Sequence, residues 1–424
     1  MTYMAWIAVI IFIVVYGFIV SEKIHRTKIA LVGAILVILA AIMPQSEAIS
    51  KVDFNTLGLL IGMMIIVAIA MRTGMFQYAA VKLAKRAKGK PVSIMTAFFI
   101  FTAVTSALLD NVTTVLLVTP IIFSVTSVLD INPIPFLISE ILASNIGGTA
   151  TLIGDPPNIM IGGATGLGFN DFLFNLAPAV IIIAVVTNSL FVLIYRKQLK
   201  VSPDAEQRIM ELDESSYLTD KKLLVKVLAV LGFTIIGFIL HQTLHLDSAT
   251  VAMAGAAVLL LISGIEPDEI FKEVEWNTIF FFVGLFIIVG GLEATGVINM
   301  IAEWGLAVTN SDRAVMHILI LWLSAIASAF IDNIPFVATM IPLIKSMAEI
   351  SGMDVTSLWW ALSLGACLGG NGTIIGASAN VVVSSIATSR GYAMSFLSYM
   401  KIAFPLMIVS IIIAHIYIYL RYLL

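Results

Sequence analysis

Long apolar stretches alternate with short polar connections along the whole chain. A helix that crosses a bilayer needs about 20 mostly apolar residues. On that measure the first half predicts spans near residues 4–20, 28–44 and 54–71, and then an amphipathic basic stretch from Phe76 to Lys90. An apolar run over 92–129, an interrupted span over 134–164 and a last span over 172–195 complete it. The 92–129 run is too long for one helix and just long enough for two, so it reads as a hairpin. The polar stretch Lys197 to Lys222 divides the chain nearly in half, and the pattern resumes near Leu223. The expected organisation is a first repeat over 1–196, a linker over 197–222, and a second repeat over 223–424 with its hairpin at 315–350 and its interrupted span at 357–388. The first run, Met4 to Val20, has no basic residues before it and no small-x-small cleavage site after it, so it is expected to remain as a spanning helix.

Polar residues inside the apolar runs return at a fixed offset of 222. "LLDNVTTVLLVTPI", around Asp110 and Asn111, returns as "FIDNIPFVATMIPLI", around Asp332 and Asn333; over 102–124 and 324–346, 9 of 23 positions are identical. "GGTATLIGDPPN", Gly147 to Asn158, returns as "GGNGTIIGASAN", Gly369 to Asn380, with 6 of 12 identical. The chain is a duplication. If each hairpin enters and leaves on one side, each half crosses the membrane five times, an odd number, and the halves must be inverted. Basic residues are retained on the cytoplasmic side. This topology puts 19 of the 23 Lys and Arg on one face, leaving only Lys51, Arg313, Lys345 and Arg421 near the other. The expected fold is an all-α integral membrane protein of two inverted repeats, each with five transmembrane helices and one re-entrant hairpin. The linker is expected in the cytoplasm and both termini outside.

Composition narrows the chemistry. Hydrophobic residues make up 60% and charged residues 12%, against about 25% charged in soluble domains. A single cysteine, Cys367, excludes an internal disulfide and a multi-thiolate metal site contributed by one chain, and is expected to be a small packing residue. No GxxxxGK[ST] phosphate loop occurs, which argues against ATP hydrolysis by that route. His241 and His245 are four apart with no third ligand, so no metal and no cofactor is expected, and no enzyme activity.

Gly147, Gly148, Gly154, Pro156 and Pro157 interrupt one would-be helix, and Gly369 to Asn380 interrupts its repeat. Such breaks expose backbone that a membrane tolerates only against protein or a water-filled cavity, and paired breaks in inverted repeats point to a transporter's binding site. Asp110-Asn111 and Asp332-Asn333 read as hairpin tips, with N-capping as the plain alternative. Asp110, Asp155 and Asp332 are the candidates for proton or cation coupling. Candidate substrate contacts are Asn111, Thr113, Thr114, Asn145, Gly147, Gly148, Thr149, Thr151, Asn333, Gly369, Gly370, Asn371 and Thr373. The halves are unequal, since Asp155 returns as Ala377 and Thr113-Thr114 as Pro335-Phe336, which assigns coupling to the first half. No Lys or Arg lies within either tip or break, so the site suits a cation, a proton or a neutral hydroxylated solute. Glu140 reads as a packing or proton-relay residue.

"LLDNVTTVLLVTP" followed by "SNIGGTATLIGDPPN" resembles the signature of the ion transporter superfamily, in its branch of ArsB-type arsenite permeases, P-proteins and NhaD-type antiporters, which share a citrate transporter-like domain. The resemblance implies ten spanning helices, two re-entrant hairpins, and an elevator-like transport domain moving against a scaffold. Carboxylate transporters of the superfamily carry Ser-Asn-Thr at the hairpin tips, and this chain has Asp-Asn, which argues against citrate or succinate. The expected activity is proton-coupled efflux of arsenite or antimonite across the cytoplasmic membrane, with Na+/H+ antiport the alternative and a carboxylate transporter or an ion channel less favoured. The expected partners are a small inorganic solute or ion and membrane lipid, with no nucleic acid. A homodimer and a separate ATPase subunit are compatible with the sequence, which shows neither.

Overall fold

A computed structural model describes residues 2–21 and 23–424, and these are helical with no strand among them. The first half runs α1 (Tyr3–Ser21), α2 (Arg26–Leu39), α3 (Gln45–Ser50), α4 (Phe54–Met71), α5 (Met75–Arg86), α6 (Pro91–Leu108), α7 (Asn111–Leu129), α8 (Ile134–Gly148), α9 (Pro156–Thr165) and α10 (Phe169–Tyr195). After α11 (Pro203–Met210), the second half runs α12 (Lys221–Leu240), α13 (Ser248–Ser263), α14 (Pro267–Phe271), α15 (Trp276–Ala294) and α16 (Val297–Val308). It ends with α17 (Arg313–Phe330), α18 (Asn333–Ser351), α19 (Thr356–Gly369), α20 (Ser378–Ser389) and α21 (Phe396–Ile418).

From α2 to α9, each element starts 222 residues before its counterpart in α13 to α20. The packing is reciprocal: α2 lies on α15 and α13 on α4, α9 meets α18 and α20 meets α7, and α10 meets α21. Thr73-Gly74 returns at the same offset as Thr295-Gly296, and the repeated glycine has a backbone cause. Gly74 and Gly296 start α5 and α16 at φ +73° and +75°, a left-handed conformation that side-chain-bearing residues rarely adopt. Exposed apolar side chains such as Trp6, Ile10 and Ile13 on α1, or Val225 and Phe233 on α12, face where lipid would be. By contrast, every residue from Pro135 to Gly148 on α8 and from Ser357 to Gly369 on α19 is buried.

Among the described residues ten helices are long and apolar enough to cross a membrane. Four of them, α6, α7, α17 and α18, are the arms of the two hairpins. Burial and depth decide how those arms run. α7 ends and α8 begins at one short loop, and the 15 residues of α8 carry the chain about 22 Å inward to the break, beside the tip between α6 and α7. α9 continues for another 10 residues, about 15 Å, so the tip stops short of the far surface. The span expected over 28–44 is shorter than read: α2 stops at Leu39, where Ala41 turns to φ +55° and Pro44 opens α3.

The polar stretch between the halves is folded and docked. Ala205 and Ile209 of α11 are buried, and Arg208 donates to the Val128 carbonyl at the end of α7, at 3.0 and 3.2 Å. Lys85 of α5 donates to the Leu212 carbonyl at 2.8 Å and to Glu214 at 2.5 Å, and its ammonium holds the Glu214 carboxyl below the usual range.

Candidate functional site

Both hairpin tips and both helix breaks converge on a buried chain of asparagines. Asn380 donates to the carbonyls of Gly370 (2.7 Å) and Thr373 (2.9 Å), which fixes which end of its amide is oxygen. Its Oδ1 must then accept, and Asn145 Nδ2 donates to it at 2.9 Å while also donating to Asn371 Oδ1 at 2.9 Å. Asn145 Oδ1 in turn accepts from Asn111 Nδ2 at 3.0 Å. Backbone carbonyls at one break therefore orient amides through to the opposite hairpin tip.

Asp155 ends this chain. Both Asn111 and Asn333, one from each tip, donate to its Oδ1 at 3.3 Å. The residue is fully buried, the Cys367 thiol lies beside its carboxylate, and among the described residues its Oδ2 has no N–H or O–H partner. Its freedom follows from the local sequence: Asp155 sits at the N-cap of α9, but Pro156 and Pro157 have no N–H to offer and the Asn158 N–H goes to the Asp155 backbone carbonyl at 2.9 Å, so the carboxylate makes no cap bond and remains available to the tips. Two further buried atoms on the same network lack partners, Asn111 Oδ1 and Asn371 Nδ2. Buried polar atoms are nearly always paired, and here two acceptors and one donor stand open on one network.

The two tip aspartates both cap the helix that follows, as the plain reading of the sequence had it. Asp110 accepts from Thr113 N (2.8 Å) and Thr113 Oγ1 (2.5 Å). Asp332 accepts from Ile334 N (3.0 Å) and Ser378 Oγ (2.9 Å), and also from Arg26 at 2.8 Å. Arg26 donates to Ser378 Oγ at 2.5 Å and lies 5.0 Å over the Phe281 ring. This corrects the expectation of a site without a cation. No Lys or Arg is near the tips in sequence, but folding brings Arg26 from the start of α2, where it reads as one more cytoplasmic charge beside Lys23 and Lys28. Arg26, His25, Glu275, Asp332 and Ser378 line an open cavity of about 430 Å³.

The remaining candidates divide by partner. Thr114 Oγ1 is buried and unpaired. The hydroxyl protons of Thr149, Thr151 and Thr373 are committed to backbone carbonyls: Thr149 to Asn145 at 2.6 Å, Thr151 to Ala107 at 2.5 Å, and Thr373 to Ala329. Gly147 and Gly369 let α8 and α19 touch the hairpin arms, since a Cβ would lie 2.5 Å from Ala103 Cα and 2.7 Å from Ala325 Cα respectively. Gly148 and Gly370 face the opposite lip of their own break, at Gly154 and Gly376. Asn158, absent from the expected site, donates to the Thr149 (3.1 Å) and Thr151 (2.8 Å) carbonyls and accepts from Ser363 at 2.5 Å. Asn158 and Asn380 close the two repeat motifs, and that shared position was the signal available for both.

The model of the CitMHS family, described as citrate transporter, matches residues 16–365. The chain belongs to this family. Its relatives include a "46 kDa membrane protein" of Mycobacterium leprae, 43% identical over 99% of both chains, and an uncharacterized transporter of Mycobacterium tuberculosis, 42% identical over 99% of both. The mouse P protein is 34% identical over 96% of this chain, which spans 60% of that protein's length. Resemblance to the ion transporter superfamily, with its P-protein branch, is thereby borne out. In fold the chain is similar to the Alcanivorax borkumensis YdaH transporter, whose crystal structure is described as having an unusual topology, with a TM-score of 0.58 at 15% identity over 88% of this chain and 86% of that one. This is a multi-pass membrane transporter.

Proposed function

We propose that this CitMHS member is a proton-coupled secondary transporter of a small neutral oxyacid, arsenite or antimonite in their hydroxide form, with Asp155 exchanging the proton and the asparagine chain holding the solute. One observation carries the reading: two free acceptors, Asp155 Oδ2 and Asn111 Oδ1, and one free donor, Asn371 Nδ2, lie on a single buried network. A trihydroxide both donates and accepts, so it can satisfy all three. A polycarboxylate would meet Asp155 and Asp332 with only Arg26 to oppose them, and Arg26 is already paired. Bare Na+ is the second reading, favoured by the two free oxygens and opposed by the free N–H.

In this reading α6–α9 and α17–α20 move as an elevator against the other helices, with the linker in the cytoplasm and both termini outside. The cavity beside Arg26 then opens to the cytoplasm. Cysteine in place of Asp130 is expected to label only from inside, and in place of Ser351 only from outside; labelling of both from one side sinks this orientation. The function itself is tested in vesicles of purified protein under an imposed pH gradient, with arsenite, Na+ and citrate offered separately. Gradient-driven arsenite movement, lost in Asp155→Asn, is expected. Na+ movement alone selects the second reading, and citrate movement alone overturns both.

A further inference from the structure

The side chain of Glu140, on α8, is buried in a part of the molecule that the asparagine chain does not reach. It lies five residues before Asn145, about 7 Å along the helix. Among the described residues its one hydrogen-bond partner is Thr119 of α7, whose Oγ1 is 3.1 Å from Oε1 and 3.1 Å from Oε2. An ionised carboxylate only accepts, and a hydroxyl has one proton, so this geometry would leave a buried anion sharing a single donor. A carboxylic acid fits it: the acid O–H donates to Oγ1, and the Thr119 O–H donates back to the other oxygen.

Among the described residues no cation pairs with Glu140. Within the helices packed against α8, α6, α7 and α20 contain no titratable residue, and α19 contains only Cys367. On α10, Asp171 accepts from Gly168 N and Gln242, and the Tyr195 ring packs tilted against Phe191. On α21, Tyr399 donates to the Asn371 carbonyl, His415 accepts from Trp322, Tyr417 donates to the Asn175 carbonyl, and Lys401 is exposed. Arg390, just past α20, lies over the Phe123 ring at 4.7 Å and makes no ion pair. Asp110, which caps α7, is bonded to Thr113.

The duplication supplies the control. At the equivalent positions of the second half, Glu140 is Leu362 and Thr119 is Ile341, both buried. The same helix pair therefore packs with two apolar residues, and the acid and its hydroxyl partner occur together, in the half that also carries Asp155.

We propose that Glu140 and Thr119 form a proton-binding site separate from the central carboxylate, in which Glu140 holds its proton at neutral pH and loses it only when the α7–α8 contact opens. Ionising a buried, uncompensated carboxyl is strongly unfavourable, so raising the pH far enough to remove this proton separates α7 from α8 and stops transport. The proposal does not depend on which solute is carried.

Infrared spectroscopy of the purified protein in lipid vesicles tests it. Wild type should show a hydrogen-bonded protonated-carboxyl C=O band at neutral pH that is lost in Glu140→Gln and retained in Asp155→Asn. Thr119→Val should shift that band to the position of a free acid, and Thr119→Ser should restore it. Gln cannot ionise and can keep both bonds to Thr119, so the transport profile of Glu140→Gln, normalised to its own maximum, should extend to higher pH than that of wild type, any alkaline fall that remains being that of proton exchange at Asp155. A spectrum unchanged by Glu140→Gln, or superimposable pH profiles, would overturn the proposal.

Discussion

Asp110 and Asp332 occupy equivalent positions, each capping the second arm of its hairpin, and their surroundings differ. The oxygens of Asp110 are taken up by Thr113, within its own tip. Asp332 reaches outward to Arg26 of α2 and Ser378 of α20, tying its tip to a helix of the other half. The contrast recurs throughout the site. Residues that hold the frame are duplicated: Ser106 and Ser328 donate to the Ser144 and Ala366 carbonyls at 2.7 and 2.6 Å, and Asn158 and Asn380 each clasp the carbonyls of their own break. Residues with chemistry are not: Asp155, Glu140 and Arg26 return as Ala377, Leu362 and Ser248. Backbone carbonyls freed by a broken helix need donors in either half, whereas a single buried carboxylate suffices to exchange one proton.

The strongest break of this comparison is Asp155→Asn. It keeps the size and the cap position but removes the only carboxylate that both tips address. A hydrogen bond to a charged group contributes about 1.5–3 kcal/mol, so solute binding should weaken roughly tenfold to a hundredfold, with gradient-driven transport lost in the vesicle assay. Adding Ala377→Asp to that variant should not restore transport, because the neighbouring tip is held by Arg26. Recovery in the double variant would make the halves interchangeable.

Gly147→Ala and Gly369→Ala probe the side of the comparison where the halves agree. Each new methyl would overlap the backbone of a hairpin arm, and overpacking of this kind costs about 1–3 kcal/mol. Both should lower the midpoint of heat-induced unfolding in detergent by similar amounts. A large effect at only one position would mean that one hairpin, not both, is locked to its broken helix.

Arg26→Gln addresses the tip that differs. Breaking a fully buried pair costs about 3–5 kcal/mol, and with 28% of the Arg26 side chain and 13% of the Asp332 side chain exposed, a loss of about 1–2 kcal/mol is expected by that same measure. Asp332→Asn in the Arg26→Gln background should recover part of it, whereas Asp110→Asn should show no coupling to Arg26→Gln in a double-mutant cycle. Equal coupling to both aspartates would erase the distinction between the tips.

Much of this frame was legible in the chain. Apolar period and length placed α4 at 54–71 without error, and a fixed offset carried the hairpin and the break of one half onto the other. The Asp-Asn tips, the glycines and Asp155 were visible because polar and helix-breaking residues stand out inside apolar runs. Arg26 was not, because its charge reads identically whether it faces cytoplasm or folds back onto a hairpin tip over 300 residues away. The role of the threonines was equally hidden. A sequence gives the hydroxyl, but whether its proton goes to a guest or to a nearby carbonyl depends on which backbone groups the break exposes.

The smallest effect is expected at Cys367, which a search for a thiophilic arsenic site would single out. It lies one turn from Ser363 on α19, fully buried, and its thiol is 3.6 Å from Asn158 Oδ1. That oxygen already accepts from Ser363 at 2.5 Å, so the thiol contributes only a weak second bond. As(III) as a soft ion wants several thiolates, and one buried thiol cannot supply them. Cys367→Ala should therefore keep near-normal arsenite transport, lose under about 1 kcal/mol of stability, and become insensitive to thiol reagents. Its equivalent in the first half, Asn145, sits at the centre of the amide chain, so Asn145→Ala should be far more damaging at the same place in the repeat. Complete loss of transport in a well-folded Cys367→Ala protein, with Cys367→Ser also inactive, would mean that the sulfur binds the solute and that oxygen and amide contacts do not carry it.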